Sequence, residues 1–155
     1  MTDGSTLGTP LRLARETATQ TGRPICLDSS ALIAYLTDEP HARHVGPLVE
    51  GSGMPLIIST VTLTEAAVRP ARISRAEAET VIAAIGQLPT LSIVAVDEAV
   101  AVEAGSVRAE TRLQLPDAIV IATARLSDAV VVVGNDRRWQ RVRLGVPFVC
   151  LDDLP

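Results

Sequence analysis

Pro24-Ile-Cys-Leu-Asp28-Ser29-Ser30-Ala-Leu-Ile-Ala-Tyr-Leu36 is the stretch on which the reading of this chain turns. Ile25 to Leu27 is a short apolar run of the kind that forms a buried strand. It stops on a carboxylate, Asp28, and two hydroxyls, Ser29 and Ser30, before a helical pattern of Ala31, Leu32, Tyr35 and Leu36 begins. A strand that ends on Asp and turns directly into a helix sets that carboxylate at the carboxyl edge of a sheet, where open α/β sheets bind their ligands. An Asp in that place is also a common helix N-cap. Its role depends on whether other acidic groups reach the same edge.

The pattern repeats outward from this stretch. Strands are expected near 24–28, 56–60, 91–96, 130–133 and 147–151, with helices between them. The helices fall near 30–37, 40–50, 62–69 (stopped by Pro70), 97–112, 115–127 and 135–142. One more runs to Gln87, opened by Ser74 and Glu77 as a capping box, with Val81, Ile82 and Ile85 on its buried face. Ala101, Ala104 and Ala109 leave room for close helix packing. Strands alternating with helices predict one α/β domain with a central parallel sheet of about five strands flanked by helices. That domain spans residues 24–155. Residues 1–23 read as an N-terminal extension, flexible over Met1–Gly8, with a short helix from Thr9 and Pro10 to Thr21 and Gly22. If the sheet is parallel, the strands before Asp28 and Asp136 should be neighbours.

Composition narrows the class. The chain has 155 residues, 47% of them apolar, enough for one proper core. All 14 basic residues are Arg, and the net charge is −4. That balance excludes a general basic coat for nucleic acid. It leaves room for a metal that lends local positive charge to an acidic site. Cys26 and Cys150 lie in apolar runs and read as small buried hydrophobes in a reducing cytosol. His41 and His44, with no further His or Cys partner, are expected to face solvent. No apolar run fits a signal peptide or approaches the ~18 residues that span a membrane. The expectation is a soluble cytoplasmic protein.

Three more carboxylates follow the pattern of Asp28. Glu65 lies a turn beyond the second strand among Leu63, Ala66, Ala67 and Val68, company in which a carboxylate needs a partner or an ion unless it is solvated. Asp117 opens an almost wholly apolar helix, at the end whose dipole favours the ionised form. It is either a site residue or a helix-start Asp bonded to backbone. Asp136 follows a strand through Gly134 and Asn135, as a site residue or a turn cap. Asp97-Glu98 reads as an ordinary helix start, and Asp152 and Asp153 as a solvated tail. Asp28, Glu65, Asp117 and Asp136 together would repel one another at short range. Hard divalent cations relieve that repulsion, which points to Mg²⁺ or Mn²⁺ and to phosphodiester chemistry. No Gly-rich phosphate loop is present, and Ser30 stands where a haloacid-dehalogenase-type phosphatase carries a second Asp.

The order Leu27-Asp28-Ser29-Ser30, Ser59-Thr60-x-Thr62-x-Thr64-Glu65, Leu115-Pro116-Asp117-Ala-Ile-Val-Ile-Ala-Thr-Ala124 and Asn135-Asp136-Arg-Arg-Trp139 resembles the PIN domain, and within it the VapC toxins of bacterial toxin–antitoxin pairs. The likeness covers Pro24 to Leu151. It implies a Mg²⁺- or Mn²⁺-dependent endoribonuclease, often a homodimer, neutralised by a VapB-like antitoxin. Asp28 and Asp117 then correspond to the principal metal ligands, with Glu65 and Asp136 completing a catalytic pocket. Ser29 or Ser30 resembles the supporting hydroxyl, and Arg137 and Arg138 are placed to meet RNA phosphates. The chain departs from the family at Gly134, where Thr or Ser is frequent, at Trp139, where Phe is usual, and in its first 23 residues. A PIN nuclease of RNA processing or DNA repair, and a PIN-like module that binds without cleaving, are the alternatives. The full acidic set argues against the second.

Overall fold

A computed structural model describes residues 8–51 and 53–155. Five strands, β1 (Ile25–Leu27), β2 (Leu56–Ser59), β3 (Leu91–Val94), β4 (Val131–Gly134) and β5 (Phe148–Cys150), form one sheet in the order β3-β2-β1-β4-β5. Every pairing is parallel, as expected. Among the described residues there are seven helices, α1 (Thr9–Thr21), α2 (Ser29–Leu36), α3 (Ala42–Val49), α4 (Thr60–Ala71), α5 (Arg75–Gly86), α6 (Glu98–Thr111) and α7 (Leu115–Leu126). Two 3₁₀ turns, Arg137–Arg141 and Leu151–Asp153, follow β4 and β5.

Because side chains alternate along a strand, the sheet buries two cores. Ile25, Leu27, Leu56, Ile58, Val131 and Val133 face α1 to α5. Cys26, Ile57 and Val132 face α6, α7 and Trp139. Both cysteines are buried and unpaired, as their apolar runs imply. Within α1, Leu11, Ala14 and Ala18 are buried in the first core. Gly8 takes the N-cap position, and Gly22 closes the helix in the left-handed conformation (φ 70°). Apart from Gly8, the stretch expected to be flexible lies outside the described residues.

Several local expectations need correction. The helix α4 runs through Pro70 to Ala71 instead of stopping there, because a proline in the last turn sacrifices only one late hydrogen bond. Ser74 does cap α5, accepting from Glu77 N at 3.1 Å. Ile82, however, is 37% exposed, and only Ile85 of the expected three is fully buried. The cause is the position of α5 beside β3, the half-exposed edge strand. Of the three alanines on α6, Ala104 is buried while Ala101 and Ala109 face outward. His44 is buried rather than solvent-facing, with Arg43 Nε donating to its Nε2 at 3.2 Å. His41 meets Asp152 at 2.9 Å. Among the described residues no helix is long and apolar enough to cross a membrane.

Candidate active site

Strands β1 and β4 are adjacent, pairing Ile25 with Val131 through Leu27 with Val133. The chain order reverses across this pair, so the crevice at their carboxyl ends is the topological switch point. The residue after β1 is Asp28. Its backbone N–H donates to Val133 O at 2.9 Å, tying it to β4. Its Oδ2 accepts from Ser30 N at 3.4 Å and from Ser30 Oγ at 2.9 Å. The cap and site readings are therefore compatible, since one oxygen caps α2 while the carboxylate stays in the crevice. Ser30 Oγ also accepts the N–H of Asn135 at 2.9 Å, so one hydroxyl joins the ends of both central strands.

Asp28 is only 7% exposed. Burial pushes its carboxyl above the ordinary range, the Ser30 and Ser29 hydrogen bonds pull it down, and the charge of Glu65 pushes it up again. Glu65 itself is half-buried on α4, beside an apolar groove lined by Ile33, Leu36 and Ala66. Asp117 occupies the first turn of α7, whose N-cap residue Gln114 supplies no side-chain bond. Burial raises the Asp117 carboxyl, and repulsion from Asp28 adds to it. The indole N–H of Trp139 opposes this, and Asp136 and Arg138 contribute in opposite senses. Trp139 Nε1 is buried and makes no hydrogen bond of standard geometry. Its field still favours the ionised Asp117. Trp139 keeps its packing role against Phe148, with ring centroids 5.2 Å apart.

Asp136 caps the 3₁₀ turn after β4, accepting from Arg138 N at 2.9 Å. The Arg138 guanidinium folds back onto the same carboxylate through Nε and Nη2 and holds it well below the usual range. Arg138 Nη2 also lies 3.9 Å from Asp117 Oδ2. All four acidic residues thus stand at one edge, and Asp28, Asp117 and Asp136 feel one another or Glu65 electrostatically. Arg137 is turned the other way, 3.1 Å from Asp153 and 3.9 Å from Asp152. Asp152 and Asp153 are exposed, as expected, and their 3₁₀ turn is in addition a partner of the site loop.

Sequence reasoning overlooked Asn135. Its Nδ2 donates to Asp152 Oδ1 at 3.0 Å and its Oδ1 accepts from Asp152 N at 2.9 Å. Its only signal in the sequence is its place beside Asp136. Gly134 has a steric reason. A Cβ there would meet Asp28 Cβ at 3.1 Å, Asp28 Oδ2 at 3.3 Å and Phe148 Cε2 at 3.4 Å.

A family model for the PIN domain matches residues 25–144, most of the chain. The chain belongs to the PIN-domain family. No curated protein matches its sequence. Several solved PIN-fold structures resemble it. A toxin–antitoxin complex from Klebsiella pneumoniae aligns with TM-score 0.64 at 20% identity, covering 82% of this chain and 97% of that one. The DNA-bound VapBC complex of Salmonella typhimurium aligns with TM-score 0.63 at 24% identity, over 83% and 98%. A sarcin–ricin-loop-cleaving VapC toxin of Mycobacterium tuberculosis aligns with TM-score 0.60 at 19% identity, over 76% and 93%. At these identities the likeness is one of fold.

The donor set of this PIN domain suits a hard divalent cation. Asp28 is a buried and Asp117 a half-buried carboxylate, each raised above its ordinary range by burial first and then by a neighbouring charge, Glu65 for Asp28 and Asp28 for Asp117, and Arg138 already sits among the acids as a cation. Among the described residues no three His, Cys, Asp or Glu side chains are gathered tightly enough to form a complete cage. Asp136 is committed to Arg138 instead. Mg²⁺ needs no such cage, since it is commonly held by one or two carboxylates plus water and substrate phosphate.

Proposed function

We propose that this PIN domain is a Mg²⁺- or Mn²⁺-dependent endoribonuclease of the VapC type. The observation that supports it most is the pair Asp28 and Asp117, near enough that the charge of Asp28 raises the Asp117 carboxyl. Asp28 and Asp117 would hold the metal, with Glu65 and Asp136 reaching it through water. When bound, the metal would supply an activated water and charge for the phosphate oxygens. The chain's own groups do the positioning. Ser30 fixes the rotamer of Asp28, the Trp139 N–H opposes the rise of the Asp117 carboxyl, and Arg138 can turn from Asp136 toward a phosphate. Metal-dependent cleavage of RNA by the purified protein, abolished by Asp117→Asn in a folded variant, is the test. Cleavage in EDTA, or full activity of that variant, would refute it.

The same reading includes a VapB-like antitoxin, a homodimer and a cytoplasmic location. The likeness in fold to toxin–antitoxin complexes supports the partner. So do the exposed apolar residues Val68, Ile73 and Ile82 on α4, α5 and their connection. Co-expression with the product of an adjacent small gene should yield a complex with suppressed ribonuclease activity, and light scattering should give the mass of a dimer for the chain alone.

A further inference from the structure

We propose that a cleft beside the acidic edge, bounded by Arg112, Arg138 and Arg141, is a phosphate subsite that grips the backbone of a single-stranded nucleic acid. This rests on and deepens the nuclease reading, because it says where the strand lies after it leaves the carboxylates. The cleft encloses about 240 Å³ between the α6–α7 connection and the 3₁₀ turn after β4, and Asp117 forms part of its wall. It is thus continuous with the candidate site and large enough for a phosphate group.

Three observations favour an anion there. First, Arg112 and Arg141 are exposed and make no ion pair or side-chain hydrogen bond among the described residues. Other arginines such as Arg12, Arg69 and Arg108 share that state, and what sets Arg112 and Arg141 apart is that they line one cleft together with Arg138 and Asp117. Second, Arg112 stands in the left-handed region at φ 60° as the C-cap of α6. Glycine or asparagine fills such a cap at lower cost, about 1 kcal/mol for a residue with a Cβ. A long cation held there at that cost points its charge into the cleft's rim. Third, the 12-residue helix α7 begins in this wall with no side-chain cap, so its dipole also favours negative charge there, at an end where Pro116 has no N–H to give and Asp117 already stands. Arg138 stands between the two regions, on Asp136 now and within reach of the cleft. The arrangement suits a polyanion that crosses from carboxylates to arginines, with one phosphate at the reacting position and a neighbouring one among the guanidinium groups. Contacts of this kind follow the backbone and read no base.

The experiment is binding of a 12-nucleotide single-stranded RNA, and of a DNA of the same sequence, by fluorescence anisotropy over a salt series in EDTA and in Ca²⁺. Arg112→Gln/Arg141→Gln should bind at least about fivefold more weakly, and its log–log salt slope should be shallower by about 1.4, or 0.7 for each lost phosphate contact. Arg112→Lys/Arg141→Lys should restore the slope. Arg12→Gln/Arg75→Gln, the same charge change on other faces, should leave it unchanged. Equal loss on RNA and DNA supports a backbone subsite, whereas loss on RNA alone overturns it in favour of 2′-hydroxyl recognition. The proposal is also overturned if the Gln pair binds like wild type, if the Arg12/Arg75 control falls equally, or if wild type binds neither strand in either medium. Failure of the nuclease reading looks different. There the Gln pair would lose binding while wild-type protein cleaves no RNA with Mg²⁺ or Mn²⁺.

Discussion

Replacing Ser30 by alanine tests whether the site is held by a single hydroxyl. Ser30 Oγ donates to Asp28 Oδ2 at 2.9 Å and accepts from Asn135 N at 2.9 Å, so the substitution deletes both bonds and leaves a half-buried N–H behind. A neutral bond is worth about 1 kcal/mol and one to a charged group about 1.5–3 kcal/mol. The two together give a loss of about 3 kcal/mol, softened where water can reach Asn135. At 2–4 °C per kcal/mol for a chain of this size, the melting temperature should fall by about 6–12 °C. The variant should also bind Mn²⁺ about 10–100-fold more weakly, the usual effect of removing a group that orients a ligand. Ser29 is the control, because no hydrogen bond of its hydroxyl is found among the described residues. Ser29→Ala should change stability by less than about 0.5 kcal/mol. Calorimetric melting and a Mn²⁺ titration read both effects. If Ser30→Ala melts with wild type and keeps its Mn²⁺ affinity, the hydroxyl does not join the two strand ends in the way described.

Other outcomes follow from the same edge. The Asp117 carboxyl is raised in the folded protein, so its contribution to stability is complete below the ordinary carboxylate pKa of about 3.9 and is lost as pH rises through the folded value. Asp117→Asn should therefore melt above wild type at pH 7 in EDTA, match it near pH 3, and fall below it when Mg²⁺ is added; a lower melting point at pH 7 in EDTA would contradict the electrostatics. Gly134→Thr forces a Cβ against Asp28 and Phe148, with a cost of about 1–3 kcal/mol readable by chemical denaturation. A neutral Gly134→Thr would mean that this crevice is looser than its contacts indicate. Arg138→Gln should let the Asp136 carboxyl rise toward its ordinary value in an NMR titration and should tighten Mn²⁺ binding, since a competing cation is gone. An unmoved Asp136 titration would show that the guanidinium does not hold it in solution.

The parallel sheet and the positions of Asp28 and Asp136 were legible because both depend on local pattern. Apolar runs of three or four residues ending at Asp28 and at Gly134, bounded by turn residues, read as buried strands, and parallel pairing then sets their ends side by side. Expectations that depended on distant neighbours did worse. His44 gave no sign in the sequence that α3 would turn it inward, and Ile82 looked like core because its helix period could not show that β3 ends the sheet. Arg137 and Arg138 looked equivalent. Backbone direction in the 3₁₀ turn sends one to Asp152 and Asp153 and the other to Asp136. The bonding role of Asn135, quoted in the sequence only beside Asp136, was hidden for the same reason, since its partner Asp152 lies beyond another strand.

The Ser30–Asn135–Asp152 chain of hydrogen bonds has a consequence for biosynthesis. It joins a segment near residue 30 to segments near 135 and 152, and the two central strands likewise pair residues 25–27 with 131–133. Such pairings form late, because a long loop must close before any contact rewards it. On the ribosome Asp28 and Ser30 emerge together, yet Val133 and Asn135, which tie them to the neighbouring strand, are translated more than a hundred residues afterwards. A nascent chain therefore exposes its acidic residues as separate, unorganised groups, and the assembled edge exists only once the segment around Asp152 has been made.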